Sequence, residues 1–275
     1  MIGNPKLFGR TVSLEILPKV GLGKEFTYPP FNLEFESDLS ALNLTKVSLM
    51  NVNEDTIQLV GAKSKGPSFL YPTALLSAGY KDENGLVVSG EVIYPKFRQD
   101  GPNKILEFTI SANAGSWNSF YIMKTYSRLP AQTVILDILT QGNIKPGTIV
   151  LGENKVINFS ATRTLGECIK SFCDLTGSQY WMQDGLLYIS PLDPPSKPST
   201  IFLDNTSGLI GVPEKSQKTW KITSLFRHKF KLNMVIAVKG GNLDGECRIV
   251  KGKHRFSTFQ TTNYSELEVL PYDYS

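Results

Sequence analysis

The sequence predicts a mainly β protein with a small α/β unit of helices and strands in its middle. Three observations lead there. Apolar and polar residues alternate along many short runs, turn residues recur between those runs, and the apolar period becomes helical only between residues 130 and 176.

The elements follow in order. Residues 10 to 16 place Val12, Leu14 and Ile16 on one face, and residues 31 to 35 do the same with Phe31, Leu33 and Phe35. Pro29-Pro30 marks an edge or an entry point, because proline has no N–H to give a central ladder. Val47 and Leu49, then Ile57 and Leu59, continue the alternation, with Asn53-Glu54-Asp55 read as a turn between two strands. A hairpin follows, with one strand ending at Tyr80, a turn over Asp82 to Gly85, and a second strand from Leu86 to Phe97. Asn84-Gly85 supplies the positive φ angles of a tight turn, and Gly90 suggests a bulge or bend. Asp100 to Asn103 is a further turn, and Ile105 to Ala112 a further strand.

The period then changes. Residues 130 to 141 place Val134, Ile135, Ile138 and Leu139 on one helical face, with Pro130 suited to the start and Gly142 to the stop. Lys145-Pro146-Gly147 reads as a turn. Residues 164 to 176 form the strongest helix, with Leu165, Cys168, Ile169, Phe172 and Cys173 at helical spacing, a capping box at Thr164 and Glu167, and Gly177 beyond the end. Gln179 to Met182 and Leu186 to Ser190 form a strand pair about Asp184-Gly185. The proline-rich run 193 to 198 is the best linker in the chain. Strands return at Trp220 to Ser224, Met234 to Val238, Cys247 to Lys251 and Tyr264 to Leu270. This order divides the chain into a first β domain over residues 1–128, a small α/β domain over 129–192 and a second β domain over 193–275.

Composition narrows the class. At 275 residues, 41% hydrophobic and 20% charged, the chain has the make-up of a globular protein with a substantial core. The net charge of +4 is mild and its Lys and Arg are scattered, which argues for an ordinary solvated surface over a nucleic-acid patch. The amino-terminal stretch lacks the pattern of a secretory signal, and no apolar run reaches the length of a membrane span. Three cysteines are too few, and odd in number, for a disulfide framework. The Asn-x-Ser/Thr sequons at Asn43, Asn158, Asn205 and Asn263 are therefore read as incidental.

A search for chemistry yields no catalytic, cofactor-binding or metal site. His228 and His254 have no second ligand at metal spacing. Cys168 and Cys173 are five apart, which turns them away from each other around a helix, so both read as core residues. Gly21-Leu22-Gly23-Lys24 lacks the spacer and hydroxyl of a phosphate-binding loop, and Gly240-Gly241 is a turn. Glu54-Asp55, or Glu266 and Glu268, would serve a glycosidase only if two acids faced each other across a cleft. Trp117, Phe120, Tyr121, Tyr180 and Trp181 read as strand-core packing, with a sugar-binding or protein-binding surface as the alternative.

The order of motifs resembles phage baseplate hub proteins, a family related to the hub part of secretion-system spike proteins. LTKVSLMNVNEDTIQLV followed by LLSAGYKDENGLVVSGEVIYPKF is similar to the opening hub domain, with Ala78-Gly79-Tyr80 and Gly90-Glu91-Val92 at its two marked strands. TLGECIKSFCDLTGSQYWMQDGLLYISP resembles the unit in which an amphipathic helix leads into the strand carried here by Asp184 to Ile189. Ser207 to Pro213, then SLFRHKFKLNMVIAV, then VKGKHRFSTFQTTNYSELEVLP resemble the last domain, with His254 at the family's His position. Arg227-His228 replaces the usual Asn-Pro, Asn233 stands where Gly is common, and Tyr264 sits near a position often held by Trp.

The resemblance implies two tail-tube-like β-barrels flanking the α/β unit and no catalysis. It implies a homotrimer whose six barrels match a sixfold tail tube on one face and a threefold spike or tail-tip protein on the other, beside other baseplate subunits. Genomic DNA would meet such a ring only in transit, and the location would be the tail baseplate of a virion assembled in the bacterial cytoplasm. Since the chain ends at Ser275 with no repetitive tail, the spike is expected to be a separate protein. A channel for DNA should avoid strong phosphate attraction, so Lys and Arg are expected mostly outside it. A sugar-binding tail-tip module, a tail-associated cell-wall hydrolase and a related injection machine, such as a secretion-system spike protein, are the competing readings.

Overall fold

The computed structural model describes residues 9–62, 71–111, 114–192, 201–261 and 263–272. The expected linker at 193–198 lies outside them. The chain divides into two compact units, one joining residues 1–111 with 196–275 and the other comprising 112–195. The protein is mainly β.

The first segment carries β1 (Arg10–Leu17), β2 (Lys24–Thr27), β3 (Leu33–Leu39), β4 (Thr45–Met50), α1 (Glu54–Leu59), β5 (Thr73–Tyr80), β6 (Glu83–Asp100) and β7 (Asn103–Ser111). The smaller unit carries α2 (Ala114–Ser119), β8 (Tyr121–Pro130), α3 (Ala131–Gln141), β9 (Lys145–Ile149), β10 (Val156–Thr164), α4 (Leu165–Leu175), β11 (Ser178–Gln183) and β12 (Leu186–Pro191). The last segment carries β13 (Phe202–Leu203), β14 (Leu209–Ser216), β15 (Thr219–Leu225), β16 (Val235–Gly240), β17 (Leu243–Ser257) and β18 (Tyr264–Pro271).

Among the described residues of the larger unit thirteen strands form one continuous sheet in the order β14-β15-β18-β17-β3-β4-β7-β6-β5-β1-β2, with β16 beside β17 and β13 beside β16. β17 makes that continuity possible. Its first part, Leu243 to Arg248, pairs with β16, and its last part, Gly252 to Ser257, pairs with β3. The register against β18 slips by one residue at Val250. Side chains alternate with period two, so one extra residue reverses which set faces the core. Cys247 and Ile249 are buried before the slip, and His254 and Phe256 after it.

Two hydrophobic cores result. One gathers Leu14, Phe35, Leu49, Leu76 and Ile110 with Phe226 and Phe256 of the last segment. Phe35 stacks on Phe256 at 5.4 Å between centroids, and Phe226 meets both rings edge-on. The other gathers Leu39 with Ile222, Phe230, Ile236, Ile249 and Val269.

Several local expectations are corrected. Ile57 and Leu59 lie in α1 and not in a strand. Asn53 is its N-cap, its Oδ1 accepting the Thr56 N–H at 3.1 Å, and Glu54 and Asp55 complement the helix dipole in the first turn. In the β5–β6 hairpin Tyr80 pairs with Glu83, so the turn is Lys81-Asp82, and Asn84 and Gly85 are strand residues opposite Gly79 and Ala78. A side chain on Gly79 would meet the Glu83 carbonyl oxygen at 2.1 Å, so the close approach requires glycine. Gly90 pairs regularly with Ala74, while the irregularities of β6 fall at Val87 and around Tyr94, whose φ is 52°.

In the smaller unit β8 pairs with β10, and β11 and β12 form a hairpin with β9 parallel to β12. Val134, Ile135, Ile138 and Leu139 of α3 are all buried, and α4 starts on the expected capping box. Asp184 and Gly185 both have positive φ, as a tight hairpin turn demands. Lys145-Pro146-Gly147, expected as a turn, is instead the start of β9. β9 is an edge strand, where a missing N–H is tolerated.

Candidate functional site

An organised surface on the larger unit is the face of its sheet opposite the cores. Charged side chains alternate there in rows that cross the strands. Glu214 of β14 stands beside Lys221 of β15, which stands beside Glu268 of β18, which stands beside Lys251 of β17. In the next row Glu266 stands beside Lys253, and Lys253 beside Asp38. In the third Tyr264, Arg255, Glu36 and Lys46 follow one another across four strands. A fourth row carries Glu34, Ser48 and Glu107 to Lys96. Opposite charges directly across a strand pair attract, so the first three rows stabilise the register that makes them, whereas in the fourth Glu34 and Glu107 flank Ser48 and repel each other.

Glu36 is the hub of this network. Its carboxylate accepts from Lys253 Nζ at 2.8 Å and lies 3.2 Å from Arg255 Nε. The Lys253 hydrogen bond, with Arg255 and Lys46 nearby, holds the Glu36 carboxyl below the usual carboxylate range despite some desolvation. The same pairing raises Lys253. Glu34, two residues away, is pushed up by burial and by Glu107. Asp38 lies 3.8 Å from Lys253. The rows from Glu214 to Lys253 line an open groove of about 870 Å³, with Ile210 and Val212 of β14 at one side. Val212 is 71% exposed, on a bulge where β14 leaves the register of β15.

The residues singled out from sequence fall elsewhere or into the core. His254 is buried, its Nδ1 2.8 Å from Ser265 Oγ and its Nε2 3.1 Å from the Phe230 carbonyl oxygen. This partner set makes Nε2 the donor and Nδ1 the acceptor, a neutral ring. Burial lowers its pKa to about 4. His228 packs against Gly85, and burial lowers its pKa as well. Asn233, where the hub pattern has Gly, has φ 62°, a left-handed conformation that Asn tolerates better than most residues. The three cysteines are buried and unbridged.

Glu54 and Asp55 are exposed on the first turn of α1. Glu266 and Glu268 share one face of one strand, each beside a lysine, and do not oppose each other across the groove. Trp117 is buried, Trp181 stacks on Tyr188, and Phe120 and Tyr121 are exposed. Among the described residues no group of His, Cys, Asp or Glu could hold a metal ion, and no helix is long and apolar enough to cross a membrane. The alternating face was missed in the sequence. Its signal was there in the acidic alternation Glu34, Glu36, Asp38 and the basic alternation Lys251, Lys253, Arg255, two strands of opposite sign.

Comparison with known proteins bears on fold. No family model matches the sequence, and no curated protein matches it significantly. Solved structures do match. A tail protein from Neisseria meningitidis MC58 superposes with a TM-score of 0.67 at 12% identity, covering 96% of this chain and 97% of that one. The 43 kDa tail protein of prophage MuSo2 from Shewanella oneidensis gives 0.66 at 9% identity, covering 96% and 98%. The E. coli c3393 protein gives 0.65 at 11% identity, covering 89% and 75%. It is a type VI secretion system component described as similar in structure to the T4 tail proteins gp27 and gp5. The resemblance to hub-like tail proteins read from the motif order is thus borne out at the level of fold, and the chain carries the fold of phage tail proteins and of a type VI secretion component.

Proposed function

We propose that the chain is a structural, non-enzymatic subunit of a phage tail, a hub that forms a trimeric ring between the tail tube and the central spike. The observation that carries this reading is the likeness of fold to two tail proteins, one of them from a prophage, along 96% of the chain. In the ring each subunit contributes two tube-like barrels, one built on each hydrophobic core of the larger unit, so that three copies present six to the tube. Contacts between copies are head-to-tail and close on themselves, as a cyclic ring requires. The alternating face lines the channel through which DNA passes, a placement that departs from the expectation that Lys and Arg lie mostly outside the channel. Tube protein, spike and other baseplate subunits are its partners in the virion. The fold likeness to a secretion component fits the same ring in a related injection machine.

The test is the mass of the purified protein by light scattering, alone and mixed with its spike partner. A trimer, or a monomer that becomes a trimer with the spike, supports the hub. A chain that stays monomeric and binds or cleaves cell-wall sugar overturns it in favour of a tail-tip binder or a hydrolase.

A further inference from the structure

We infer that the carboxylates of the alternating face are a built-in substitute for phosphate, which keeps a lysine-bearing and arginine-bearing surface from holding duplex DNA. The inference rests on the reading that this face lines the DNA channel. A basic side chain gains affinity for DNA when a phosphate replaces its condensed counterions. Lysine and arginine are not kept off this face. Lys221, Lys251, Lys253, Arg255 and Lys46 all stand on it, and each has a carboxylate at a directly paired position of the next strand.

Glu268 stands between Lys221 and Lys251, Glu36 between Arg255 and Lys46, and Glu266 and Asp38 on either side of Lys253. The pairing is geometric as well as formal, with Glu36 reaching both Lys253 and Arg255. The carboxylates are fixed by the sheet ladder. Glu268 Oε1 is also held by the Thr219 hydroxyl at 2.6 Å. A passing phosphate therefore meets cations whose partners are already in place and has to compete with a carboxylate that cannot diffuse away. The surface stays hydrated and polar without being adhesive.

The experiment measures binding of a labelled 20-base-pair duplex by fluorescence anisotropy at about 50 mM salt, where phosphate contacts are strongest. Three full-length proteins are compared: wild type, E36Q/E266Q/E268Q, and E15Q/E25Q/D82N. The last set removes three exposed acids of β1, β2 and the β5–β6 turn, away from the alternating face, and gives the same change in net charge. The face variant should bind at least tenfold tighter than the other two. Its log K against log salt should fall with a slope of about −2 to −3, the value for three freed cations. Equal gains in both variants, or wild type already binding as tightly as the face variant, overturn the inference. Circular dichroism checks folding. If the triple variant unfolds, E266Q/E268Q, which leaves the Glu36 ion pairs intact and frees Lys251 alone of all its paired carboxylates, is compared with E15Q/E25Q and should show a slope of about −1. The two readings fail separately. A wild-type trimer that binds DNA tightly sinks the substitution and leaves the ring, whereas a stable monomer with the expected binding pattern sinks the ring and leaves the charge arrangement.

Discussion

Lowering the pH should destabilise the fold in part through His254, whose share can be isolated by comparison with a variant. The ring is sealed beneath the sheet, donates from Nε2 to the Phe230 carbonyl, accepts from Ser265 at Nδ1, and meets the edge of Phe226 at 5.2 Å between centroids. Burial is the largest influence on it, and the nearby Lys231 and His228 push in the same direction, to a folded pKa of about 4 against an ordinary 6.5. A depressed folded pKa means that the unfolded chain takes up the proton first. The contribution is complete above pH 6.5 and drains away as pH falls to about 4. A difference of some 2.5 units corresponds to about 3 kcal/mol. The assay is urea unfolding at half-unit steps from pH 7.5 to 4 for wild type and His254→Gln. The variant is less stable at neutral pH because a buried carbonyl loses its partner, but its stability should fall less steeply by up to about 1.4 kcal/mol per pH unit between pH 6.5 and 4. Carboxylates titrate in both proteins and cancel in the difference. Parallel stability curves for the two proteins would refute the reasoning.

Two further outcomes follow from packing. Phe226→Ala removes a fully buried ring that touches Phe35, Phe256 and His254, and should lower the unfolding free energy by about 3–5 kcal/mol in urea denaturation, with a loss under 1 kcal/mol contradicting the aromatic junction. Gly166→Ala in the first turn of α4 gains about 1 kcal/mol of helix propensity. It also places a Cβ 2.2 Å from Nε1 of the buried Trp117, so the net change should be a loss of about 1–3 kcal/mol with a red-shifted tryptophan emission, and a stabilised variant with unshifted emission would remove that contact.

What the sequence made legible was local. The α4 capping box, the buried stripe of α3 and the Asp184-Gly185 turn each depend on residues a few positions apart, and each is found where the pattern puts it. Ile57 and Leu59 misled because two apolar residues spaced by two fit a short helix as well as a strand, and the deciding group was the Asn53 side chain. Asn84-Gly85 misled because its intrinsic turn preference was overridden by the register that pairs Tyr80 with Glu83. The full length of β17 was hidden by the slip at Val250, which breaks the alternation partway along the strand. The charged face was least legible of all. The pairing of Lys253 with Glu36 joins residues 217 positions apart, a relation that no window of sequence contains.

The slip at Val250 has a consequence for how the larger unit melts. Because β17 serves both cores and is laddered to β18 along most of its length, neither core has a seam along which it could peel from the other. Opening one end leaves the same strand frayed at the other, so the two cores should share a single calorimetric transition. A strand of this kind also tolerates substitutions far better than changes of length. Inserting one residue beside Val250 would turn the lysines inward and the aromatic rings out to water at a stroke, whereas deleting Val250 would only remove the slip, so the spacing of β17 is a more constrained inheritance than its composition.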